Sequence, residues 1–260
     1  MALLDPKERS DRGRATQAEV IGQPAPEPRT LLEESWRDFI FAEVWTQPVM
    51  PRRARYLVTL ASAVLTGADD DILDDYVRGA LTSGALSVTE LRETALHLGP
   101  YAGWGRGARL DKALTRAVQA LGLKGGDTDP IRAEPWDPEV RDAEGRQEFI
   151  DTMTFGSGPP VTPYLEAIHN FVFGEMWTRR ALDQVSRRWL TLVGVCDAGI
   201  EVPIKSHVHA AMASGNCTPG ELQEFVLQYA LFHGWPKASL VQSAVFEMIK
   251  KVEAGLPWNG

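Results

Sequence analysis

Ala42-Glu43-Val44-Trp45 and Gly174-Glu175-Met176-Trp177 are one short phrase written twice. A second pair, Tyr101-Ala102-Gly103-Trp104 and Phe232-His233-Gly234-Trp235, recurs at nearly the same separation. The offset is 132 residues at the first pair and 131 at the second, so 31–121 and 165–254 read as tandem copies of one unit. This divides the chain into a flexible N-terminal arm (1–30), a first unit (31–123), a linker (124–162) and a second unit (163–260). Each unit is short for an enzyme domain, and two facing units would form a pseudo-dimer within one chain.

Each copy reads as five helices. The first covers Leu31–Thr46 or Pro163–Thr178, and the second Pro51–Leu65 or Asp183–Val195. The third covers Asp69–Ser83 or Pro203–Ser214. Gly84 or Gly215 follows it, a residue type that ends helices because it accepts the left-handed conformation. Pro51 and Pro203 fall in first turns, where a missing N–H costs nothing. The fourth helix opens on Ser87-Val88-Thr89-Glu90 or Thr218-Pro219-Gly220-Glu221, each a hydroxyl cap with a glutamate three residues on. It closes at Gly103 or Gly234, and the fifth runs to Leu121 or Val252. No stretch alternates as a strand would, so the fold class is all-α.

The 35 acidic and 27 basic residues leave a net charge of −8 without a basic cluster, which argues against nucleic acid and anionic membrane surfaces. No apolar run approaches the ~18 residues of a bilayer span, and the N-terminus lacks the apolar core of a signal peptide, so a cytoplasmic location is expected. Cys196 and Cys217 are too few for a disulfide framework. The arm carries Pro6, Pro24, Pro26 and Pro28 with little apolar periodicity, and the linker is rich in Gly, Pro and Asp. The acidic run Asp69-Asp70-Asp71 lacks a glycine-punctuated calcium loop and suits a helix start. No metal and no cofactor is expected.

Phe173-Gly174-Glu175-Met176-Trp177-Thr178-Arg179, with Leu182-Asp183 and Arg187, resembles the opening motif of the carboxymuconolactone decarboxylase family. Tyr76-Val77-Arg78-Gly79-Ala80-Leu81 resembles a segment that reads His-Val-Arg-Gly-Ala-Leu in that family. Tyr101-Ala102-Gly103 and Phe232-His233-Gly234-Trp235-Pro236 resemble its Tyr-Ala-Gly-Val-Pro. The resemblance implies an alkylhydroperoxidase-D-like fold, here as two tandem five-helix repeats, and a cofactor-free lyase. It also implies a homo-oligomer, either a trimer of pseudo-dimers or a dimer. Thiol peroxidases of the superfamily use Cys-x-x-Cys-x-x-x-His. With His207 at the histidine, Ile200 and Pro203 stand where the thiols would be, which argues against that chemistry.

The polar residues on apolar helix faces are the candidates for chemistry. At about 100° per residue, Glu175 falls within the stripe of Ile168, Phe171, Val172 and Met176, and Glu43 within that of Trp36, Phe39, Ile40 and Val44. A carboxylate there must be paired or protonated. Each glutamate is therefore either an ion-pair partner of Arg55 or Arg187, or an acid–base group of raised pKa. His207 takes the family's histidine position, while the first copy has Tyr76 there. His209 replaces the family's arginine, which the first copy keeps as Arg78, and it points toward solvent or an interface. The expected division of labour makes Glu175, His207 and His233 catalytic, although His233 at a helix end also fits a cap. Glu43, Tyr76, Arg78, His97, Tyr101, Trp177, Arg187 and Trp235 would bind substrate, some of them across the interface between copies.

The functional expectation is a cofactor-independent decarboxylase, a carbon–carbon lyase, whose partner is a small carboxylated lactone or unsaturated acid. Losing CO₂ leaves an enolate-like carbanion, which His207 or a protonated Glu175 would protonate. Arg187 or Arg78 would hold a carboxylate with its planar fork. Isomerisation or dehydration of a related ring compound would use the same groups. A non-catalytic binding or assembly protein would keep them as ion pairs. An open apolar cavity beside Glu175 and His207 would favour an enzyme, and a filled space there the assembly protein.

Overall fold

The computed structural model describes residues 4–131 and 136–260. Those residues form helices and loops with no strand. The first half contains α1 (Pro6–Ile21), α2 (Leu31–Ser35, continuing as a π-helix over Trp36–Val44), α3 (Arg52–Thr66), α4 (Asp70–Thr82), α5 (Val88–Ala102) and α6 (Trp104–Leu121). The second half contains α7 (Pro138–Met153), α8 (Pro163–Ala167, continuing as a π-helix over Ile168–Trp177), α9 (Gln184–Ala198), α10 (Glu201–Ala213), α11 (Pro219–His233) and α12 (Trp235–Glu253). Both fourth helices of the sequence reading, α5 and α11, open on full capping boxes. Gly84 and Gly215 adopt positive φ after α4 and α10. Pro51 lies one residue outside α3, as its cap, rather than in its first turn. No helix among the described residues is long and apolar enough to cross a membrane.

Two segments depart from expectation. The supposed flexible arm and the supposed linker each hold a 16-residue helix, α1 and α7. Both start on Asp-Pro, with Asp5 and Asp137 accepting hydrogen bonds from the first-turn N–H groups. α1 lies against the π-helical part of α2, and α7 against that of α8. Neither has an apolar stripe, because the contact runs through a glycine. A Cβ on Gly13 would stand 2.2 Å from the Arg37 carbonyl oxygen, and one on Gly145 2.2 Å from that of His169. Gly145→Ala is expected to destabilise the fold by about 1–3 kcal/mol, since backbone cannot yield as a side chain can. Gly105→Ala, on α6 with nothing within 4 Å, should instead gain up to about 1 kcal/mol from helix propensity. Denaturant midpoints of the two variants moving alike would overturn this account of the contact.

The centre of the molecule is α3 packed against α9. Every residue from Ala54 to Leu65 and from Ser186 to Cys196 is buried, the pattern of helices surrounded on all sides. α11 covers α3, and α5 covers α9. One continuous apolar core joins these helices to α4, α6, α10 and α12. Polar side chains on the inner faces of α3 and α9 therefore meet α11 and α5, and that is where the buried charges lie.

Candidate active site

α9 contributes Arg187, Arg188 and Thr191, and α5 contributes Glu93, His97 and Tyr101. Residues four apart share a helix face, which is why Glu93, His97 and Tyr101 meet Arg187 and Thr191 in the seam between the two helices, while Arg188, one residue on, turns to Thr152 and Asn216. Glu93 and Arg187 are completely enclosed. Arg187 Nη2 donates to Glu93 Oε2 at 3.1 Å and to the Arg179 carbonyl at 3.0 Å, while Nε donates to the Leu182 carbonyl at 3.2 Å. Arg179 closes on the same carboxylate with Nε at 2.8 and 2.9 Å and Nη2 at 2.6 Å. Burial pushes the Glu93 carboxyl up, but the hydrogen bonds and charges of the two arginines outweigh it and hold it below the usual carboxylate range.

The third donor of Arg187 fixes a histidine. Nη1 lies 3.3 Å from His97 Nδ1. An arginine only donates, so Nδ1 accepts and the imidazole proton sits on Nε2, which donates to Thr191 Oγ1 at 3.0 Å. Burial first, then the Arg187 charge, keeps His97 neutral well below its ordinary range. Its ring packs on Tyr101 at 5.1 Å and on Trp177 at 5.2 Å. Trp177 Nε1 donates to the Tyr101 hydroxyl at 2.8 Å, leaving the phenolic O–H free to donate. Burial raises the Tyr101 pKa, so it stays protonated. His207 on α10 meets the other face of Tyr101 at 6.5 Å, edge to ring. Burial, and secondly the charge of Arg188, take His207 down to about 3. Tyr101 and His207 are half-buried, so the cluster reaches the surface along their edges.

Of the residues singled out in the sequence, the structure thus brings together His97, Tyr101, Trp177, Arg187 and His207. The others lie elsewhere. Glu43 pairs with Arg9 of α1 at 2.6 Å. Glu175 is buried in the π-helical part of α8. Neither is the acid of a central arginine: Arg187 takes Glu93, and Arg55 takes Glu224. Arg78 is engaged by Asp75 at 2.9 Å. His233 stacks on Tyr229 at 3.9 Å with Nδ1 3.2 Å from Asp197, and burial lowers it to about 4 despite that carboxylate. Trp235 is exposed beside Phe39. His209 is buried, not outward-facing, because the C-terminal tail folds over it and the Leu256 carbonyl sits 2.9 Å from Nε2. Glu93, Arg188 and Thr191 were missed. The signal for them was present: two adjacent arginines inside an otherwise apolar helix, and acid, histidine and tyrosine at 93, 97 and 101 on one face.

The matching positions of the other half form a different object. Arg55 of α3 is held by Glu224 and donates to Gln228 Oε1 at 3.1 Å, and Gln228 donates to Thr59 at 2.9 Å. Here Gln228 stands for His97, Phe232 for Tyr101, Tyr76 for His207 and Tyr56 for Arg188. Tyr76 is stacked on Trp45 at 5.8 Å with Phe232 at 6.3 Å and Phe41 at 6.5 Å. The ion pair is kept, and the groups that could move a proton are replaced by packed rings. A cleft of about 730 Å³ opens on the outer side of Tyr76, between Trp36 and Ile72, rather than at His207. Among the described residues no group of side chains could hold a metal ion.

An all-helical protein with one buried Glu–Arg–His network beneath an aromatic wall is the class that fold and site define. The family model of the carboxymuconolactone decarboxylase family matches residues 31–116. The chain is 30% identical over 108 residues to the 4-carboxymuconolactone decarboxylase of Acinetobacter baylyi, a match spanning 38% of this chain and 79% of that protein. It is 28% identical over 116 residues to the nitrosuccinic acid decarboxylase of Metarhizium robertsii, spanning 43% of this chain and 80% of that protein. The chain belongs to the carboxymuconolactone decarboxylase family.

Proposed function

We propose that this protein is a cofactor-independent decarboxylase of a small carboxylic acid, with one active site per chain at the α5–α9 seam. The observation that carries it is the cluster of His97, Tyr101, Trp177 and His207 on the buried Glu93–Arg187 pair, set against its ring-filled counterpart around Tyr76. The order and lengths of α1–α6 recur in α7–α12. Four-fifths of each relative corresponds to about two-fifths of this chain. Both fit two fused family units, one of which retains the site. Apolar residues exposed at the starts of α2 and α8, Leu31, Leu32 and Tyr164, suit self-association of such units.

The roles follow from protonation states. Glu93 and Arg187 do not touch substrate, since both are enclosed and bonded to groups of the protein; they lock the His97 tautomer, whose other nitrogen donates to Thr191. The carbon–carbon bond to the departing carboxylate breaks, its electron pair enters the adjoining unsaturated system, and CO₂ leaves. The resulting carbanion needs one proton. His207 is neutral in the free site, held so first by burial and secondly by Arg188; the negative charge of a bound substrate favours the imidazolium, which forms by taking one proton from solvent as substrate enters and gives that proton to the carbanion. Tyr101 donates a hydrogen bond to the developing negative charge.

The test is CO₂ release from 4-carboxymuconolactone and from nitrosuccinate, the substrates that the names of the two relatives carry. Turnover of either by the wild-type chain should fall about 10²–10⁴-fold in His207→Gln and in His97→Gln, while Tyr76→Phe leaves it unchanged. Turnover that survives both histidine changes, or that is lost in Tyr76→Phe, would place the chemistry elsewhere.

A further inference from the structure

Among the described residues, Arg179 and Arg187 each have a carboxylate in contact, whereas Arg188 has none and feels Glu148 only as a charge at a distance. Arg188 is fully buried. Its Nε donates to Asn216 Oδ1 at 3.2 Å and its Nη2 to the Thr152 carbonyl, both neutral acceptors. Its Nη1 is buried with no hydrogen-bond partner. The guanidinium lies over the Trp177 ring at 5.3 Å, the same ring that supports His97 and Tyr101. Desolvation lowers its pKa to about 10, which still leaves it charged at neutral pH. Its field acts on His97, Tyr101 and His207 alike. At the matching position of the first half stands Tyr56, whose hydroxyl donates to the Val20 carbonyl at 2.8 Å.

A buried cation with no carboxylate in contact is among the costlier arrangements a fold can keep. It persists where the missing charge arrives with a ligand. Resting on the decarboxylase reading above, we propose that Arg188 is the specificity-determining residue of the site: it binds the anionic group that the substrate retains and so sets the preference for an acid with a second acidic group over a monoacid. The choice between retained and departing carboxylate follows from transition-state logic. A cation fixed on the departing carboxylate would stabilise the ground state and lose its partner as CO₂ forms, which slows the step. On a group that keeps its charge the same contact holds substrate throughout and costs the reaction nothing. The free Nη1, with Nη2 beside it, gives that group a planar fork.

The experiment compares two acids of one skeleton, trans,trans-hexa-2,4-dienedioate and trans,trans-hexa-2,4-dienoate, which differ by a single carboxylate. Calorimetric titration of the full chain should show the diacid binding at least ~10-fold tighter, the scale of one charge-assisted hydrogen bond in a dry site. Arg188→Met should bind both alike, and Arg188→Lys should keep part of the preference. Thermal melting supplies a second readout. Replacing an unpaired buried cation by methionine should hold or raise Tm, whereas an arginine kept for structure would lower it. Equal binding of the two acids by wild type, or a preference that survives Arg188→Met, overturns the assignment. If the diacid preference depends on Arg188 but no CO₂ is released from any diacid, the anion site stands and the decarboxylase reading alone fails.

Discussion

Glu93→Gln is expected to destabilise the protein by about 3–5 kcal/mol. The carboxylate is the sole anion shared by Arg187 and Arg179, and it sits 1% exposed. Making it neutral removes the Coulomb partner of two arginines that have already lost their hydration, and an uncompensated buried charge carries that order of penalty. A chain of this size shifts its melting point by about 2–4 °C per kcal/mol, so Tm should fall by roughly 10 °C. Glu224→Gln provides the comparison, because Glu224 is the acid of Arg55 and also accepts the Val49 and Met50 N–H groups at 3.0 and 2.7 Å. It should destabilise by a similar amount. The two variants part in turnover measured below their melting points. Glu93→Gln frees Arg187 to shift, releases the His97 tautomer and should lower kcat about 10²-fold, while Glu224→Gln should leave kcat per folded molecule intact. A Glu93→Gln protein that melts like wild type would remove the central ion pair from the account of the fold. Equal kcat losses in both variants would mean that the two clusters do one job.

The helices were legible because their ends were. Capping boxes at 87–90 and 218–221 and glycines at 84 and 215 are local signals, and local signals survive in a single sequence. α1 and α7 were not legible from periodicity, since their large buried apolar residues, Val20, Ile21 and Met153, fall only at the helix ends, and the rest of each buried face is Gly13 and Thr16 or Gly145 and Thr152. The parallel stretches Asp5-Pro6 to Gly13-Arg14 and Asp137-Pro138 to Gly145-Arg146 do carry the signal as a repeat. The wheel placed Glu175 on a buried face, as found, and Glu43 is paired, though with Arg9 rather than Arg55 or Arg187. Which neighbour each would meet was not legible, because a wheel at about 100° per residue assumes α-helix and residues 36–44 and 168–177 are π-helical, with bonds such as Trp45 N–H to the Ile40 carbonyl. The ion pairs of Arg55 and Arg187 escaped because their partners are 169 and 94 residues away, and no one-helix pattern reports which of several acids a central helix will meet. His97, Tyr101, Trp177, Arg187 and His207 were found by type and position; that they form one cluster is a property of the packing of α5 on α9.

Stability should fall steeply between pH 7 and pH 5. His207 and His233 are held neutral by burial, to about 3 and about 4, so in this window the folded protein takes up no proton on either. The unfolded chain does, with an ordinary histidine pKa near 6.5. A group that binds protons more readily when unfolded costs stability as pH falls, by about 1.4 kcal/mol per unit once below 6.5. At pH 5 each histidine therefore costs about 2 kcal/mol, and the pair about 4 kcal/mol relative to neutral pH. His97, lowered by burial and by Arg187, and His169, lowered by burial and by Arg146, act in the same direction. The groups facing His207 and His233 do not reverse the sign: Arg188 opposes protonation of the first, and Asp197, which favours it in the second, is itself engaged by Lys237 at 2.5 Å. The depressed carboxyls of Glu93, Glu90 and Asp183 lose their contribution only at lower pH, below the ordinary carboxylate pKa of about 4. Urea denaturation at pH 7, 6 and 5 should show the drop, and His233→Gln should flatten it by about 2 kcal/mol over that range because an amide takes up no proton on unfolding. A profile that stays level from pH 7 to 5, or that His233→Gln leaves unchanged in slope, would mean that these imidazoles are protonated in the folded protein, and His207 would then be charged before any substrate arrives.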